Sequence, residues 1–328
     1  MTDPFLPTWI APTPAPGPND GPPAVVPALQ LDHVSRWYGN VVAVNDVSFA
    51  LGAGVTGLLG PNGAGKSTLL HLMAGLLRPS AGTVLVRGRP AWRDPAIYRD
   101  IGLVPEKEAV HPYLSGYEFA LLNAQLQGVP NPKAAAQKAI ETVDLIDAAN
   151  RPTGTYSKGM RQRAKLAGAL VHEPTVLLLD EPFNGMDPRQ RLHMMDLLRS
   201  MAAAGRTILF SSHILEEVER LADSILVVHA GRLAAAGDYR SIRRLMTDRP
   251  HTFRVRSSDD RRLAALLIAD PAVFGTELLD GRLAVSTSDY AAFTHALPRL
   301  AAAAGVTLHE VAPTNDSLES VFSYLVKR

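Results

Sequence analysis

The sequence lacks several features that would place it in a particular class of protein. Its 328 residues include no cysteine, which excludes disulfide bonds and thiolate metal sites. No run of about 18 apolar residues occurs, so no segment is expected to span a bilayer on its own. The first residues lack the basic and apolar regions of a secretion signal. The net charge is only +1, so no nucleic-acid partner is expected. We therefore expect a protein of the cytosol.

Changes in composition along the chain predict four parts. Residues 1–27 contain nine prolines and predict a disordered tail, because proline fixes φ and has no backbone donor. Residues 28–240 alternate between strand-like and helix-like segments, which indicates an α/β domain, and helical patterns dominate at about 108–170. A basic connector at 241–250 leads to residues 251–328, whose βαββαβ-like order predicts a small α+β domain.

Local patterns predict the main helices and strands. Continuous apolar runs at Val176–Leu179 and Thr207–Phe210 indicate parallel strands that are buried on both faces. A helix is predicted over Leu69–Leu77, and Pro298 is expected to interrupt a later helix. An Asp280-Gly281 turn predicts a hairpin. Further elements are predicted at Ala28–Val34, Val41–Leu51, Gly82–Gly88, Gly116–Leu126, Lys133–Val143, Ser224–His229, Arg232–Ala235, Tyr290–Ala303 and Leu318–Val326.

A glycine-rich segment predicts a phosphate site. The run Gly60-Pro-Asn-Gly-Ala-Gly65-Lys66-Ser67, the P-loop, matches GxxxxGK[ST] and lies between a predicted strand and a helix that begins near Lys66. Glycines let successive backbone N–H groups face one phosphate, and the helix start adds the positive end of its dipole. In this pattern the lysine reaches the β- and γ-phosphates, and the serine hydroxyl ligates Mg²⁺. The alternative is a flexible glycine turn without a ligand.

Acidic and imidazole side chains follow the buried strands. Asp180 ends one apolar run and can hold Mg²⁺ directly or through water. Glu181, the next residue, is placed to orient and deprotonate an attacking water. His213 follows the next predicted strand, and ligands bind at the carboxyl ends of strands in open α/β sheets. The prediction for His213 is a γ-phosphate contact, whereas a lone histidine without this context is usually structural.

The segment Tyr156-Ser157-Lys158-Gly159-Met160, the signature, opens a further predicted helix. Ser157 can cap this helix, and a helix start with serine and glycine can also bind phosphate. Arg161, Arg163 and Lys165 lie away from the apolar face of the helix, so we expect them to form a solvated basic face.

In their order along the chain, these motifs resemble the nucleotide-binding subunit of ABC transporters, over residues 28 to about 238. The resemblance implies an α/β fold: a P-loop NTPase core with antiparallel β and helical subdomains, here followed by the small α+β domain. It implies ATP and Mg²⁺ as cofactors, and ATP hydrolysis coupled to transport. It also implies transmembrane permease subunits and a second ATP-binding subunit, the same chain or a paralogue, as partners. The expected location is peripheral, on the cytoplasmic face of the cell membrane.

The resemblance carries the family's roles onto single residues. Tyr38 matches the aromatic that stacks on adenine, and His213 matches the switch histidine. The segment Asn184–Asp187, the interface loop, matches the loop that crosses the dimer interface. The implied nucleotide contacts are Tyr38, Gly60, Asn62, Gly63, Ala64, Gly65, Lys66, Ser67 and Thr68, with Ser157, Lys158, Gly159 and Asp187 acting across the dimer. The implied catalytic residues are Glu181, His213 and Lys66, and the implied Mg²⁺ ligands are Ser67, Asp180 and Glu106.

Two departures from the family pattern point to one of its branches. Glu106 stands where the family most often has glutamine, and a carboxylate can ligate Mg²⁺ but carries charge and cannot donate a hydrogen bond. The signature has Tyr156, Lys158 and Met160 where leucine, glycine and glutamine are usual, so Lys158 can add positive charge near the shared phosphate. Both departures, and the segment 315–322, resemble the branch that exports antibiotics and drugs. The catalytic residues are retained, so we expect a hydrolysis-competent site.

Two other classes of protein fit part of the pattern. A non-transport ABC ATPase that acts on ribosomes or DNA usually carries two ATP modules or a long coiled-coil insertion. This chain has one P-loop and no long heptad stretch. An unrelated P-loop kinase would leave the signature and His213 unexplained. The sequence does not name the transported compound, nor does it say whether two paired subunits are identical.

Overall fold

The computed structural model describes residues 26–107, 110–238, 251–279 and 282–313. The chain divides into two compact units, with the boundary between Ala236 and Gly237. Within the described residues, no helix has the length and apolar character needed to cross a membrane. Several predictions fall outside the described residues, namely those for 1–25, 241–250, the Asp280-Gly281 turn, and the C-terminal segments 315–322 and 318–326.

The helices and strands follow the predicted alternation. The strands of the first unit are β1 Leu29–Tyr38, β2 Val41–Leu51, β3 Gly54–Leu59, β4 Ala81–Val86, β5 Arg89–Pro90, β6 Ile101–Val104, β7 Val176–Asp180, β8 Thr207–Ser212, β9 Ser224–His229 and β10 Arg232–Gly237. Its helices are α1 Lys66–Met73, α2 Gly116–Leu126, α3 Pro132–Thr142, α4 Lys158–Leu170, α5 Pro188–Ala203 and α6 Leu215–Leu221. Short 3₁₀ helices lie at Pro95–Arg99, Ile146–Ala148 and Thr153–Thr155. The second unit contains β11 His251–Ser257, α7 Asp260–Leu267, β12 Val273–Leu279, β13 Arg282–Thr287, α8 Tyr290–Ala303 and β14 Leu308–Pro313.

A six-stranded sheet forms the centre of the first unit, in the order β10-β9-β3-β8-β7-β6. The strands from β9 to β6 in this order pair in parallel. Strands β7 and β8 are buried along their whole length, which explains their continuous apolar sequences. Because β3, β8 and β7 are neighbours, the P-loop, Glu181 and His213 follow adjacent strand ends and meet at one edge of the sheet.

A second, antiparallel sheet has the order β2-β1-β4-β5 and shares a hydrophobic core with α1 and the central sheet. Strand β1 continues to Tyr38, four residues beyond the predicted end at Val34. Register shifts between Leu31 and Trp37 mark bulges in its pairing with β2. A bulge bends a strand without ending it, so the polar stretch after Val34 still pairs with β2.

Helix α1 spans Lys66–Met73, so it begins at Lys66 as predicted from the P-loop pattern, whereas the apolar pattern Leu69–Leu77 had placed its end at Leu77. Gly75 has φ 67°, the left-handed conformation that commonly follows a helix C-terminus. The N–H groups of Leu76 and Leu77 both donate to the carbonyl of His71, which closes the end of the helix. A glycine inside an apolar run therefore ended the helix although the apolar pattern continued.

Helices α2, α3 and α4 pack together as a helical subdomain, as predicted. A capping box starts α2: Ser115 Oγ accepts from Glu118 N, and Glu118 Oε2 accepts from Ser115 N. The buried positions of α2 and α3 are mostly alanine, which lets the helix axes approach closely. The segment that leads to α4 is held by a hydrogen bond, in which the Tyr156 hydroxyl donates to the carbonyl of Ala148 at 2.6 Å.

The prediction of a solvated basic face on α4 is wrong. Lys165 is 5% exposed and donates to backbone carbonyls. The Arg163 guanidinium donates to the carbonyls of Val143 and Asp144, and that of Arg161 donates to Tyr156 O. Because α4 lies between the other two helices and the central sheet, its long basic side chains end on the carbonyls of loop ends instead of in water.

The described part of the second unit has the predicted βαββαβ order. Its sheet has the order β12-β13-β11-β14, with antiparallel pairing throughout. Pro298 does not interrupt α8, contrary to the prediction. Phe293, Leu297 and Ala301 lie four residues apart on one buried face of α8, and their packing in the core of this unit stabilises the helix despite the missing N–H.

Candidate nucleotide site

The lysine of the P-loop forms hydrogen bonds with two carbonyls at the start of the same loop. Lys66 is 8% exposed, and its Nζ atom donates to Gly60 O at 2.8 Å and to Pro61 O at 3.2 Å. Gly65 has φ 103°, and a Cβ atom there would lie 2.3 Å from Ala43 O. A Cβ at Gly60 would lie 2.4 Å from Val228 O. Only glycine fits these two positions, since the neighbouring atoms belong to the backbone.

The start of α1 is suited to an anion. Gly65 caps the helix without a side-chain hydrogen bond, so no side chain of the cap occupies the first N–H groups. These groups and the helix dipole are the means by which helix starts bind phosphate. Ser67 and Thr68 lie half-buried in this first turn. The residues present therefore fit the phosphates of a nucleotide.

Three carboxylates act on the ammonium of Lys66. Burial lowers the pKa of Lys66, and the charges of Glu181, Asp180 and Glu106 oppose this by raising the pKa. The structure thus brings the predicted acidic residues to the P-loop, and their negative charges outnumber the one ammonium. Oxygen ligands and excess negative charge fit Mg²⁺. In the described part of the chain, no cluster of three or more His, Asp or Glu side chains could hold a metal alone. Magnesium sites with few protein ligands are completed by phosphate and water.

Ser211 joins the two acidic residues at the end of β7. Its hydroxyl donates to Asp180 Oδ1 at 2.6 Å and accepts from Glu181 N at 2.9 Å. All three residues are buried, and Glu181 has φ 49°, so the chain turns sharply after the strand. Sequence reasoning did not identify Ser211 as part of the site. The signal was its place at the end of the strand next to Asp180.

Glu181 and His213 form a pair across the strand ends. The Nδ1 atom of His213 lies 3.0 Å from both carboxylate oxygens of Glu181. The Glu181 side chain is 10% exposed and that of His213 is 50% exposed, so the carboxylate is buried while the imidazole faces open space. Gln162 of α4 donates to the carbonyl of Glu181 at 3.4 Å. The pair can hold a water molecule and pass protons at the site's opening.

A buried carboxylate supports the residues around His213. Glu217 of α6 is 4% exposed and accepts from Ser212 Oγ at 2.6 Å. Its other oxygen lies 3.3 Å from Arg191 of α5. Burial raises the pKa of Glu217, which these two partners oppose. Sequence reasoning also missed this group, which links α5 and α6 beside the site.

The signature contacts the interface loop of its own chain. Ser157 caps α4 by accepting from Met160 N, and Asp187 caps α5 by accepting from Gln190 N. The Lys158 side chain lies against Gly185, where an added Cβ would be 2.8 Å from its Cδ. A Cβ at Gly159 would be 2.0 Å from Gln190 Oε1. The contact between Lys158 and Gly185 joins the signature to the interface loop.

Tyr38 and Glu106 lie in exposed positions. Tyr38 ends β1 and is 44% exposed, with the Arg36 guanidinium 4.6 Å from its ring centroid. Its cross-strand partner is Val41, two residues before the Ala43 carbonyl that touches the P-loop. Glu106 follows the end of β6, and its carboxylate acts on Lys66 through its charge.

Comparison with known proteins gives the family. A family model described as ABC transporter matches residues 44–184. The daunorubicin resistance ATP-binding protein DrrA3 of Streptomyces coeruleorubidus is 40% identical over 214 residues, which cover 64% of this chain and 68% of that protein. The Nod factor export ATP-binding protein I of Burkholderia orbicola is 39% identical over 65% of this chain and 71% of its own length. The daunorubicin/doxorubicin resistance ATP-binding protein DrrA of Streptomyces peucetius is 34% identical over 78% of this chain and 82% of its own length.

Solved structures give the same result for the fold. An ATP-binding subunit of an ABC transporter aligns with a TM-score of 0.60 at 30% identity, covering 66% of this chain and 92% of that one. The cbiO1 subunit from Clostridium perfringens aligns with a TM-score of 0.60 at 28% identity, covering 66% and 90%. The chain belongs to the ATP-binding proteins of ABC transporters. The predicted family, α/β P-loop fold and ATPase activity are confirmed, and nucleotide is the ligand of this class.

Proposed function

We propose that this chain supplies the energy for export of a drug, an antibiotic or another hydrophobic compound through partner permease subunits. One observation carries the catalytic part: Lys66, Asp180 and the Glu181–His213 pair come together at the ends of three adjacent strands. The names of relatives support the direction of transport, since they include daunorubicin resistance, linearmycin resistance and Nod factor export proteins.

The P-loop and its surroundings would hold ATP with Mg²⁺. Backbone N–H groups of the non-proline residues between Gly60 and Thr68 face the phosphates, Lys66 reaches the β- and γ-phosphates, and Tyr38 stacks on adenine. Ser67, Asp180 and Glu106 are the residues that would hold the metal. Mg²⁺, when bound there, supplies positive charge that offsets the charge of the phosphates and of the nearby carboxylates.

Glu181 and His213 would carry out the hydrolysis with Lys66. The buried carboxylate of Glu181 accepts the proton of the attacking water. His213 keeps that carboxylate oriented, because its Nδ1 atom lies 3.0 Å from both oxygens. His213 and Lys66 stabilise the negative charge that develops on the transferred phosphoryl group.

The second ATP-binding subunit, the same chain or a paralogue, would face the signature. Ser157, Lys158 and Asp187 are exposed, and the signature and the interface loop lie in contact. Two helix starts, those of α4 and α5, therefore present one joint surface. We propose that Ser157, Lys158, Gly159 and Asp187 on this surface contact the nucleotide held by the other subunit. ATP binding would close the pair, and hydrolysis would open it.

The permease would dock in a groove between the helical subdomain and the central sheet. The groove has a volume of about 280 Å³ and includes Leu76, Tyr98, Pro105 and Phe119 in its lining. Leu76 is 51% exposed and Tyr98 is 37% exposed, so the groove offers apolar surface to a partner. Pro105 directly precedes Glu106, which places this surface beside the nucleotide site. A docked permease would hold the chain at the cytoplasmic face of the membrane.

Affinity purification of the tagged chain from detergent-solubilised native membranes tests the transporter proposal. We expect a stoichiometric polytopic membrane protein among the partners identified by mass spectrometry. Recovery of ribosomal or DNA-associated partners without a membrane protein would contradict the proposal. The double variant Leu76→Glu/Tyr98→Glu should lose the membrane partner. The control variant Ile146→Glu, at a side chain that is 56% exposed elsewhere on the helical subdomain, should keep it.

A further inference from the structure

One buried lysine of α4 holds three successive carbonyls of the segment that carries Glu106. The Nζ atom of Lys165 donates to Pro105 O at 2.8 Å, to Glu106 O at 3.1 Å and to Lys107 O at 3.2 Å. Lys165 is 5% exposed. An isolated buried ammonium is strongly unfavourable, whereas one that donates to several carbonyls is compensated. The position of this ammonium and the path of the segment 105–107 therefore depend on each other.

The segment needs such a donor because it lies beyond the end of a strand. Strand β6 ends at Val104, so the carbonyls that follow no longer belong to the ladder with β7. Backbone carbonyls that leave a sheet in a partly buried place must find other donors. Three donors on one ammonium satisfy three consecutive carbonyls and fix the direction in which the chain leaves the sheet.

The same face of α4 also contacts the segment that carries Glu181. Gln162 lies three residues before Lys165, so the two side chains share a face of the helix. Gln162 donates to Glu181 O at 3.4 Å. The helix that begins with the signature therefore braces both the Glu106 segment and the Glu181 segment. A movement of the signature would be transmitted along a rigid helix to both.

Glu106 itself acts on the nucleotide site. Its charge raises the pKa of Lys66, together with the charges of Glu181 and Asp180. Its side chain is exposed, so packing of that side chain does not hold it in place. The direction of the Glu106 carboxylate then depends on the backbone of residues 105–107, which Lys165 holds.

We propose that Lys165 is a positioning residue that directs Glu106 toward the Mg²⁺ of the bound nucleotide and thereby links the signature helix to that metal. The inference rests on the proposed function, because it assigns a support to one of the proposed metal ligands. Outer partners of metal ligands typically change metal affinity by about 10- to 100-fold when they are removed. Loss of Lys165 should act in this range and through Glu106.

The experiment measures binding instead of turnover. In the Glu181→Gln background, ATP binding by the full chain is titrated with Mg²⁺ by calorimetry. Lys165→Met keeps the length and the apolar stem of the side chain, and we expect it to raise the Mg²⁺ concentration for half-maximal ATP binding about tenfold. The matched control is Lys138→Met, at an exposed lysine of α3 whose ion pair is with Glu173. This control should leave the Mg²⁺ dependence unchanged.

A double-mutant cycle with Glu106→Ala separates positioning from general support of the fold. If Lys165 acts through Glu106, Lys165→Met should change the Mg²⁺ requirement less than twofold once Glu106 is absent. An equal change in the Mg²⁺ requirement with and without Glu106, or no change in either case, would overturn the proposal. Lys165→Gln, which keeps two N–H donors on a neutral amide, serves in the same cycle if the methionine variant does not fold. Failure of the parent protein to bind ATP would instead overturn the proposed function itself.

Discussion

The imidazole of His213 lies 3.0 Å from each carboxylate oxygen of Glu181, although 32 positions separate the two residues in the sequence. The contact exists because β7 and β8 are neighbours in parallel, so their carboxyl ends lie side by side. Ser211 adds further contacts between the same strand ends, since its hydroxyl accepts from Glu181 N and donates to Asp180 Oδ1. His213 thereby contacts the Glu181 carboxylate while Ser211 holds the backbone N–H of the same residue, both from the end of β8. Such preorganisation is what a general base next to a phosphate requires.

Glu181→Gln should preserve ATP binding and abolish turnover. The amide keeps the size of the side chain but cannot accept the proton of the attacking water, so we expect a loss of about 10²- to 10⁴-fold. Phosphate release measures turnover, and a fluorescent ATP analogue measures binding. Glu216→Gln, at an exposed carboxylate of α6, is the matched control. Undiminished phosphate release by Glu181→Gln would disprove the catalytic assignment.

Ser211→Ala should destabilise the folded chain. The substitution leaves the buried N–H of Glu181 without its acceptor and removes the donor to Asp180 Oδ1. An unsatisfied buried group of this kind costs about 1–3 kcal/mol. Urea unfolding of the nucleotide-free protein measures the difference. Ser200→Ala, at an exposed serine of α5, should change the free energy of unfolding by less than half as much. Equal effects of the two variants would show that the Ser211 bridge contributes little.

Two glycines of the P-loop should tolerate alanine differently. Both have positive φ, 80° at Gly63 and 103° at Gly65. A Cβ at Gly63 meets no atom within 4 Å, whereas one at Gly65 lies 2.3 Å from Ala43 O. Gly63→Ala adds only conformational strain of about 1–3 kcal/mol, and Gly65→Ala adds a clash with the backbone. Thermal unfolding should therefore show a larger loss of stability for Gly65→Ala, and the reverse order would contradict this geometry.

His172 should make the folded state sensitive to acid. Burial lowers the pKa of His172, and its hydrogen bond to Ile101 O, 3.0 Å long, only partly opposes this. Because the folded pKa lies below the unfolded value of about 6.5, the unfolded chain binds more protons in the interval between the two. The contribution of His172 to stability is therefore complete above about pH 6.5 and decreases as the pH falls through that interval.

His172→Gln tests this pH dependence. Glutamine can keep a donor to Ile101 O and does not titrate, so the variant should lose less stability than the wild type between pH 7.5 and pH 5.5. Urea unfolding at the two values measures the change in free energy. His193→Gln, at an exposed histidine of α5, should retain the wild-type slope. A variant at position 172 with the wild-type slope would contradict the lowered pKa of the half-buried His172 imidazole.

Local chemistry made much of this protein predictable from its sequence. A P-loop binds phosphate through consecutive backbone groups and one nearby lysine, so the proposed phosphate contacts of Gly60 to Ser67 lie within eight adjacent residues. The buried parallel strands were predicted for the same reason, since burial on both faces leaves a continuous apolar run. Two predicted boundaries were wrong, because a bulge let β1 continue past Val34 and Gly75 ended α1 inside an apolar run.

The sequence by itself determined the family, the α/β class and the residues at the ends of the strands, because these depend on short-range patterns. Only the tertiary structure decided which distant groups support those residues. Ser211 reaches Asp180 and Glu181 because two strands are neighbours. Lys165 was expected in solvent but is buried against residues 105–107, about sixty positions away in the sequence. A lysine has the same local pattern on a solvated face as on a buried one, and only the packing of α4 against the sheet distinguishes the two.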